Sequence, residues 1–196
     1  MKASVLTEKA GLTAAEVDQC HQYVDETGNG IADATRGLTE AQWTFRETAD
    51  RWSIAEIVEH IVLIQEVVLG PVRERLSAAP DEAEGRDYKQ VEDIIYQQFP
   101  ARSGKIEAPD FSAPTGRWTP VVSLERLSAN CASLKAYVES TPELRSRVIE
   151  SAPLKRITND ALQYMDGYQW ALAAAAHTKR HLDQISQVKR DPGFPV

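Results

Sequence analysis

Two histidines four residues apart, in His177-Thr-Lys-Arg-His181, are the residues of this chain best placed to do chemistry together. Residues at i and i+4 lie one above the other on the same side of an α-helix, so both imidazoles could face one divalent ion. His60, far upstream, could close the same site, which leaves only His21 unassigned among the four histidines. Three neutral imidazoles suit Zn, Ni, Fe or Co and leave coordination positions open for water or substrate, as in catalytic rather than structural zinc sites. A cation so held lowers the pKa of a bound water or thiol and makes a nucleophile near neutral pH. The pattern alone also admits a plainer reading, in which each ring is a core histidine with its own hydrogen-bond partner. The i, i+4 pair weighs against that reading, because two buried neighbours each need partners and repel when protonated.

Four stretches repeat apolar residues at the helical period and must position these rings; none shows sustained two-residue alternation. The first is predicted from near Thr13 to about Gly37, with Val17, Cys20, His21, Val24 and Ile31 inward and a bend where Gly28 and Gly30 weaken it. The second opens on Ser53-Ile-Ala-Glu56, a capping box in which two side chains satisfy orphan backbone N–H groups. Trp52 and Ile57 stand at the positions of a hydrophobic staple. Ile57, Ile61, Ile64 and Val68 mark its buried face, with His60 among them, and Gly70-Pro71 should kink or end it. The third is predicted over 121–139 on the stripe Leu124, Leu127, Cys131, Leu134 and Val138, after which Thr141-Pro142 reads as the start of a short helical segment. The fourth, over 168–189, turns Trp170, Ala174, His177, His181, Ile185 and Val188 inward and Lys179, Arg180 and Asp183 elsewhere. Its small run Ala173 to Ala176 lets a neighbouring helix approach closely.

Between the second and third helices, residues 77–120 are punctuated by Pro80, Pro100, Pro109, Pro114 and Pro120, carry an acidic cluster at 81–84, and contain one short helix over 88–98. They hold too few apolar residues for a separate core. The expectation is therefore a single all-α domain over 1–196, a four-helix bundle with a long crossover between helices 2 and 3. Bundles build metal sites from side chains on facing helices. Long crossovers are often functional, and substrate specificity is expected to reside here.

Several residues near the histidines carry two readings each. Glu56 is the capping-box acid, and one turn before His60 it could instead orient that ring. Gln184, one turn beyond His181, could meet solvent or substrate near the metal or serve as a cap or core polar residue. Cys20 and Cys131 read as small core residues, and Trp52, Trp118 and Trp170 as packing anchors.

Composition removes other classes. A net charge of −7 at pH 7 opposes nucleic acid binding, which rewards a basic surface. Two distant cysteines form no disulfide framework, residues 1–12 hold no apolar signal core, and no apolar run reaches the length of a membrane span, so a cytoplasmic protein is expected. Thr178 stands where a zincin needs Glu, and Ile57 and Ala174 stand where a di-iron carboxylate bundle needs Glu. Neither a G-x-S-x-G elbow nor a phosphate loop occurs.

The segment Leu38-Thr-Glu-Ala-Gln-Trp43 followed by Arg51-Trp-Ser-Ile-Ala-Glu-Ile-Val-Glu-His60 resembles the opening signature of the DinB/YfiT-like superfamily. The run from Gly167 through His177 and His181 to Gln184-Ile resembles its closing one. The resemblance spans nearly the whole chain. It implies a four-helix bundle carrying a divalent metal on one histidine of the second helix and two of the fourth, here His60, His177 and His181. It further implies a small-molecule enzyme, either a hydrolase or a transferase joining a low-molecular-weight thiol to an electrophile. A non-catalytic stress or ligand-binding protein with a structural metal is the alternative. By analogy a homodimer is expected. DNA binding is suggested only by the family's damage-inducible name, against the acidic charge.

Overall fold

A computed structural model describes residues 11–80, 87–101, 108–141 and 143–196. The acidic cluster at 81–84, Pro142 and the first ten residues lie outside them. Helix α1 (Ala14–Thr35) begins at a Thr13/Glu16 capping box and is followed by a short α2 (Glu40–Thr44), itself capped by Thr39 and Gln42. Helix α3 (Ile54–Val67) passes through a π turn (Val68–Val72) into α4 (Arg73–Ala78). Helix α5 (Tyr88–Ala101) and a 3₁₀ turn (Asp110–Ser112) lie in the crossover, before α6 (Pro120–Ser140). Strands β1 (Val148–Glu150) and β2 (Tyr164–Asp166) flank α7 (Ala152–Ile157) and lead into α8 (Gly167–Val188).

The bundle consists of α1, the α3–α4 run, α6 and α8. Helices α6 and α8 each pack on both α1 and α3, so α1 and α3 face each other across a diagonal. The pairs Glu59–Arg117, Glu66–Arg126 and Arg73–Tyr137 ascend together along the chain, so α3–α4 and α6 run parallel. By contrast His60 meets His181 while Gln65 meets Thr178, so α3 and α8 run antiparallel. The crossover helix α5 packs on α8. Ile31, Ile57, Ile61, Leu134, Leu172 and Ile185 are fully buried in the shared core, each contributing about 1.5–3 kcal/mol of transfer free energy.

The structure departs from the pattern-based expectation, or narrows it, in four places. First, α1 continues unbroken through Gly28 and Gly30, with no irregular turn. A Cβ at Gly28 would lie 2.9 Å from Cys131 Sγ and one at Gly30 2.5 Å from Leu182 Cδ2, so these glycines admit neighbouring helices without interrupting their own. Second, of the two outcomes expected at Gly70-Pro71 the helix does not end but is made irregular: α3 gives way to a π turn that takes up the i−4 carbonyl clash and missing N–H that proline imposes. Third, Thr141 closes α6 as its C-cap and residues 143–146 form a turn, with Ser146 N–H on the Glu143 carbonyl at 3.0 Å, instead of a helical start. Fourth, a two-stranded antiparallel ladder pairs Val148 with Asp166, Ile149 with Met165 and Glu150 with Tyr164. Three-residue strands are too short to show an alternating pattern. The run Ala173 to Ala176 is buried as its small side chains imply.

A buried ionic knot fixes the start of α8. Arg145 Nη2 approaches Glu16 Oε1 at 2.5 Å and Glu92 Oε1 at 2.8 Å, its Nη1 reaches Asp166 Oδ2 at 3.4 Å, and its guanidinium lies over Tyr168. Asp166 is also the N-cap of α8, with Gln169 returning the bond.

Candidate metal centre

The Ser53/Glu56 box sets where α3 starts and hence where His60 falls, about two turns beyond the Ser53 cap. Glu56 is committed there: one carboxylate oxygen accepts from Ser53 N–H at 2.8 Å, and the other pairs with Arg46 at 2.7 Å. It therefore does not orient His60. That task falls to the crossover, whose Ser112 carbonyl oxygen accepts from His60 Nδ1 at 2.7 Å. On α8, Gln184 turns its amide oxygen to His181 Nδ1 at 2.8 Å, so it braces the ring instead of facing substrate.

These two bonds decide the state of the rings. A carbonyl oxygen only accepts, so His60 and His181 carry their hydrogens on Nδ1, and in the neutral ring Nε2 is a bare lone pair. Both lone pairs face one atom: His177 Nε2 lies 3.2 Å from His60 Nε2 and 3.1 Å from His181 Nε2. One ring nitrogen from each of the three residues falls within 4.8 Å of the others. A tetrahedral cation with bonds of about 2.0–2.1 Å separates its nitrogen donors by about 3.3 Å, so this spacing fits such an ion with small adjustment.

Electrostatics favours the same state. Burial pushes His181 down to about 3, with the neighbouring His60 and Arg180 acting in the same direction and the Gln184 bond against it. Burial, aided by Arg180, also lowers His60, opposed by the Ser112 bond. Both rings are thus neutral, with lone pairs free, at pH 7. Arg180, expected to point away, exerts its charge on both rings. Trp52 closes one side, its ring 4.8 Å from that of His60 and 6.4 Å from that of His181. It is a packing anchor, and what it packs on includes two of the imidazoles.

Four contributors escaped the sequence reading. Ser112 acts through its backbone, which leaves no mark on residue type. Glu59, beside His60, is buried and binds residues 115–117 of the crossover. Gln65, buried, reaches Thr178 Oγ1 at 3.3 Å and ties α3 to α8 beside His177. Its position one turn after Ile61 on the apolar stripe was a readable signal. Arg180 is the fourth. His21 lies elsewhere, its Nε2 3.1 Å from the Lys135 carbonyl on α6. Cys20 and Cys131 are buried free thiols raised by burial, Cys20 to about 12, and behave as core residues. Among the described residues no helix is long and apolar enough to cross a membrane.

Comparison with known proteins bears on this geometry. The uncharacterized protein YuaE of Bacillus subtilis (strain 168) is 24% identical over 155 residues, 79% of this chain and 87% of its own. Among solved structures, YfiT from Bacillus subtilis, described as a probable metal-dependent hydrolase with an unusual four-helix bundle topology, superposes with a TM-score of 0.60. It does so at 15% identity, over 96% of this chain and 94% of its own, a likeness that establishes the four-helix fold. The profile of the DinB superfamily matches residues 23–185, a span containing all three clustered histidines. This chain belongs to the DinB superfamily.

Proposed function

We propose that His60, His177 and His181 hold one divalent cation through their Nε2 atoms, and that the protein is a metal-dependent enzyme acting on a small molecule. The observation that carries this reading is the pair of Nδ1 hydrogen bonds, to Ser112 O and Gln184 Oε1, that leave two lone pairs aimed at His177 Nε2. Rings meant only to pack have no need of a shared tautomer. A cation bound there would supply Lewis acidity and ionise a water or thiol at its open positions. Ser112 and Gln184 hold the rings in their ligating orientation, and Trp52 packs on two of them.

Among the described residues no carboxylate or thiol joins the cluster. A low-molecular-weight thiol, acidic enough to lose its proton without a protein base, is the cosubstrate that suits such a site, and it makes S-transfer to a small electrophile the preferred chemistry. Hydrolysis is the coarser possibility shared with the description of YfiT. The test is turnover by metal-loaded protein of a chloro-aromatic electrophile with a panel of bacterial thiols, beside ester and amide substrates. Thiol-dependent turnover abolished by His181→Ala supports transfer; ester or amide hydrolysis with no thiol dependence reverses the ranking.

The burial of His60 and His181, 6% and 5% exposed, favours a second reading, in which the cation is structural and the protein binds a ligand without turnover. Under that reading chelation lowers Tm and no small ligand competes for the open positions. Elemental analysis of the purified protein, then thermal shift with chelator and candidate thiols, separates the two.

A further inference from the structure

Glu59 precedes His60 on α3 and is only 2% exposed. A carboxylate that deep must be met by donors. Its Oε1 accepts from Thr115 N–H at 2.9 Å and from Arg117 Nε–H at 3.2 Å, and its Oε2 accepts from Gly116 N–H at 2.9 Å. Every one of these donors belongs to residues 115–117. Three residues before them the same loop presents Ser112 O to His60. Adjacent residues of one helix thus grip adjacent parts of one loop. Gly116 has φ +70 with nothing near its would-be Cβ, so glycine serves there for its left-handed backbone, which aims successive N–H groups at a single carboxylate. Among the described residues the other hydrogen bonds of Ser112 are local, its N–H and Oγ–H both on the Pro109 carbonyl.

We propose that Glu59 is a positioning residue: by anchoring 115–117 it keeps the Ser112 carbonyl on His60 and so maintains the His60 tautomer whose lone pair faces His177. The inference rests on the metal reading above and adds a linkage to it. Docking of the crossover strengthens cation binding, and cation binding, which demands that tautomer, tightens the crossover in return.

The test uses full-length protein with Glu59→Ala, Glu59→Gln and a control, Leu134→Ala, which loses core packing without touching the loop. The first readout needs no metal: ¹⁵N NMR of labelled histidines identifies the His60 tautomer in chelator-treated protein. Wild type shows Nδ1–H, and Glu59→Ala shows a mixture. The second is Co(II) affinity by chelator competition, expected to fall about 10–100-fold in Glu59→Ala. Glu59→Gln falls less, since its amide keeps one acceptor but sets an NH₂ against the Gly116 N–H; it also provides the measurement if Glu59→Ala fails to fold. The control stays within about twofold of wild type, as sites acting independently do. An unchanged tautomer in both Glu59 variants overturns the proposal, whether or not affinity falls. Wild type that binds no Co(II) sinks the metal reading instead, and the NMR arm still decides the role of Glu59.

Discussion

Replacing His177 with alanine separates a metal site from a packed core, because the two readings give opposite results with and without chelator. His177 Nε2 is the atom both other rings face, at 3.2 and 3.1 Å. In the metal-free protein it can give a hydrogen to only one of two lone pairs, so the cluster is under-satisfied there. His177→Ala removes that conflict along with a part-exposed ring, and stability in chelator should move by no more than about 1 kcal/mol. With cation present the sign reverses. A cation at 100 times its Kd stabilises the fold by about 2.7 kcal/mol, which for a chain of this length is a rise of about 5–11 °C in Tm. Four-donor zinc sites are worth about 10–16 kcal/mol, so one lost donor costs about 3 kcal/mol, or about a hundredfold in Kd. At the same cation concentration the variant then gains only about 0.4 kcal/mol, a shift of about 1 °C.

The assay is differential scanning fluorimetry of both proteins in EDTA and in Zn(II). The expected result is a large EDTA-to-zinc gap in wild type that collapses in the variant, with the two EDTA curves nearly coincident. A core histidine would behave otherwise: the variant would melt far lower in EDTA, in line with the roughly 3–5 kcal/mol cost of deleting a buried aromatic ring, and neither protein would respond to zinc. That outcome, or a gap of equal size in both proteins, refutes the reasoning.

Gln184→Leu removes the acceptor of His181 Nδ1 and should weaken Zn(II) about 10–100-fold in a chelator competition while leaving the EDTA melting temperature nearly unchanged. Arg145→Met strands Glu16, Glu92 and Asp166 around a buried apolar stem and should cost about 3–5 kcal/mol by urea unfolding. Its zinc affinity should hold, since Asp166 lies about 16 Å along α8 from His177. Chelated protein should lose stability as pH falls below 6.5, the ordinary histidine value. His60 and His181 both have lowered folded values, so over that range the unfolded chain binds protons that the folded chain refuses. Their contribution is complete above pH 6.5 and declines toward the folded value of His181, about 3, at up to about 1.4 kcal/mol per pH unit for each group. Urea titrations of wild type against His181→Leu isolate the His181 share, and parallel curves from pH 7 to 5 would remove it.

The four long helices, the Ser53/Glu56 cap and the inward face carrying the histidines were legible in residue order, because each depends on contacts within a few positions. Ser53 and Glu56, or the stripe Leu127, Cys131, Leu134 and Val138, specify their roles locally. What was misread depended on another element. Gly28 and Gly30 look like weak points until Cys131 and Leu182 are seen against them, and Glu59 drew no reading at all because the crossover that buries it is remote in sequence. The strands escaped for a different reason: three residues carry no period.

The partners of the three rings follow from topology more than from composition. Helices α3 and α6 run parallel, and a parallel pair cannot be joined by a tight turn. The helical run from Ile54 to Ala78 rises about 37 Å, and the chain must travel back over that length before α6 can begin beside the start of α3. The returning segment therefore has to pass the first turns of α3, where His60 stands, and it arrives there as an irregular backbone whose polar groups need partners. Glu59 and His60 supply them: the carboxylate takes N–H groups from Thr115 and Gly116, and the imidazole gives its hydrogen to Ser112 O. The long crossover is thus the geometric consequence of a parallel helix pair, and the tautomer of His60 is set by where that return path ends. A chain joining the same four helices by short antiparallel turns could repeat all three histidines and still lack the acceptor that holds His60 with its lone pair toward His177.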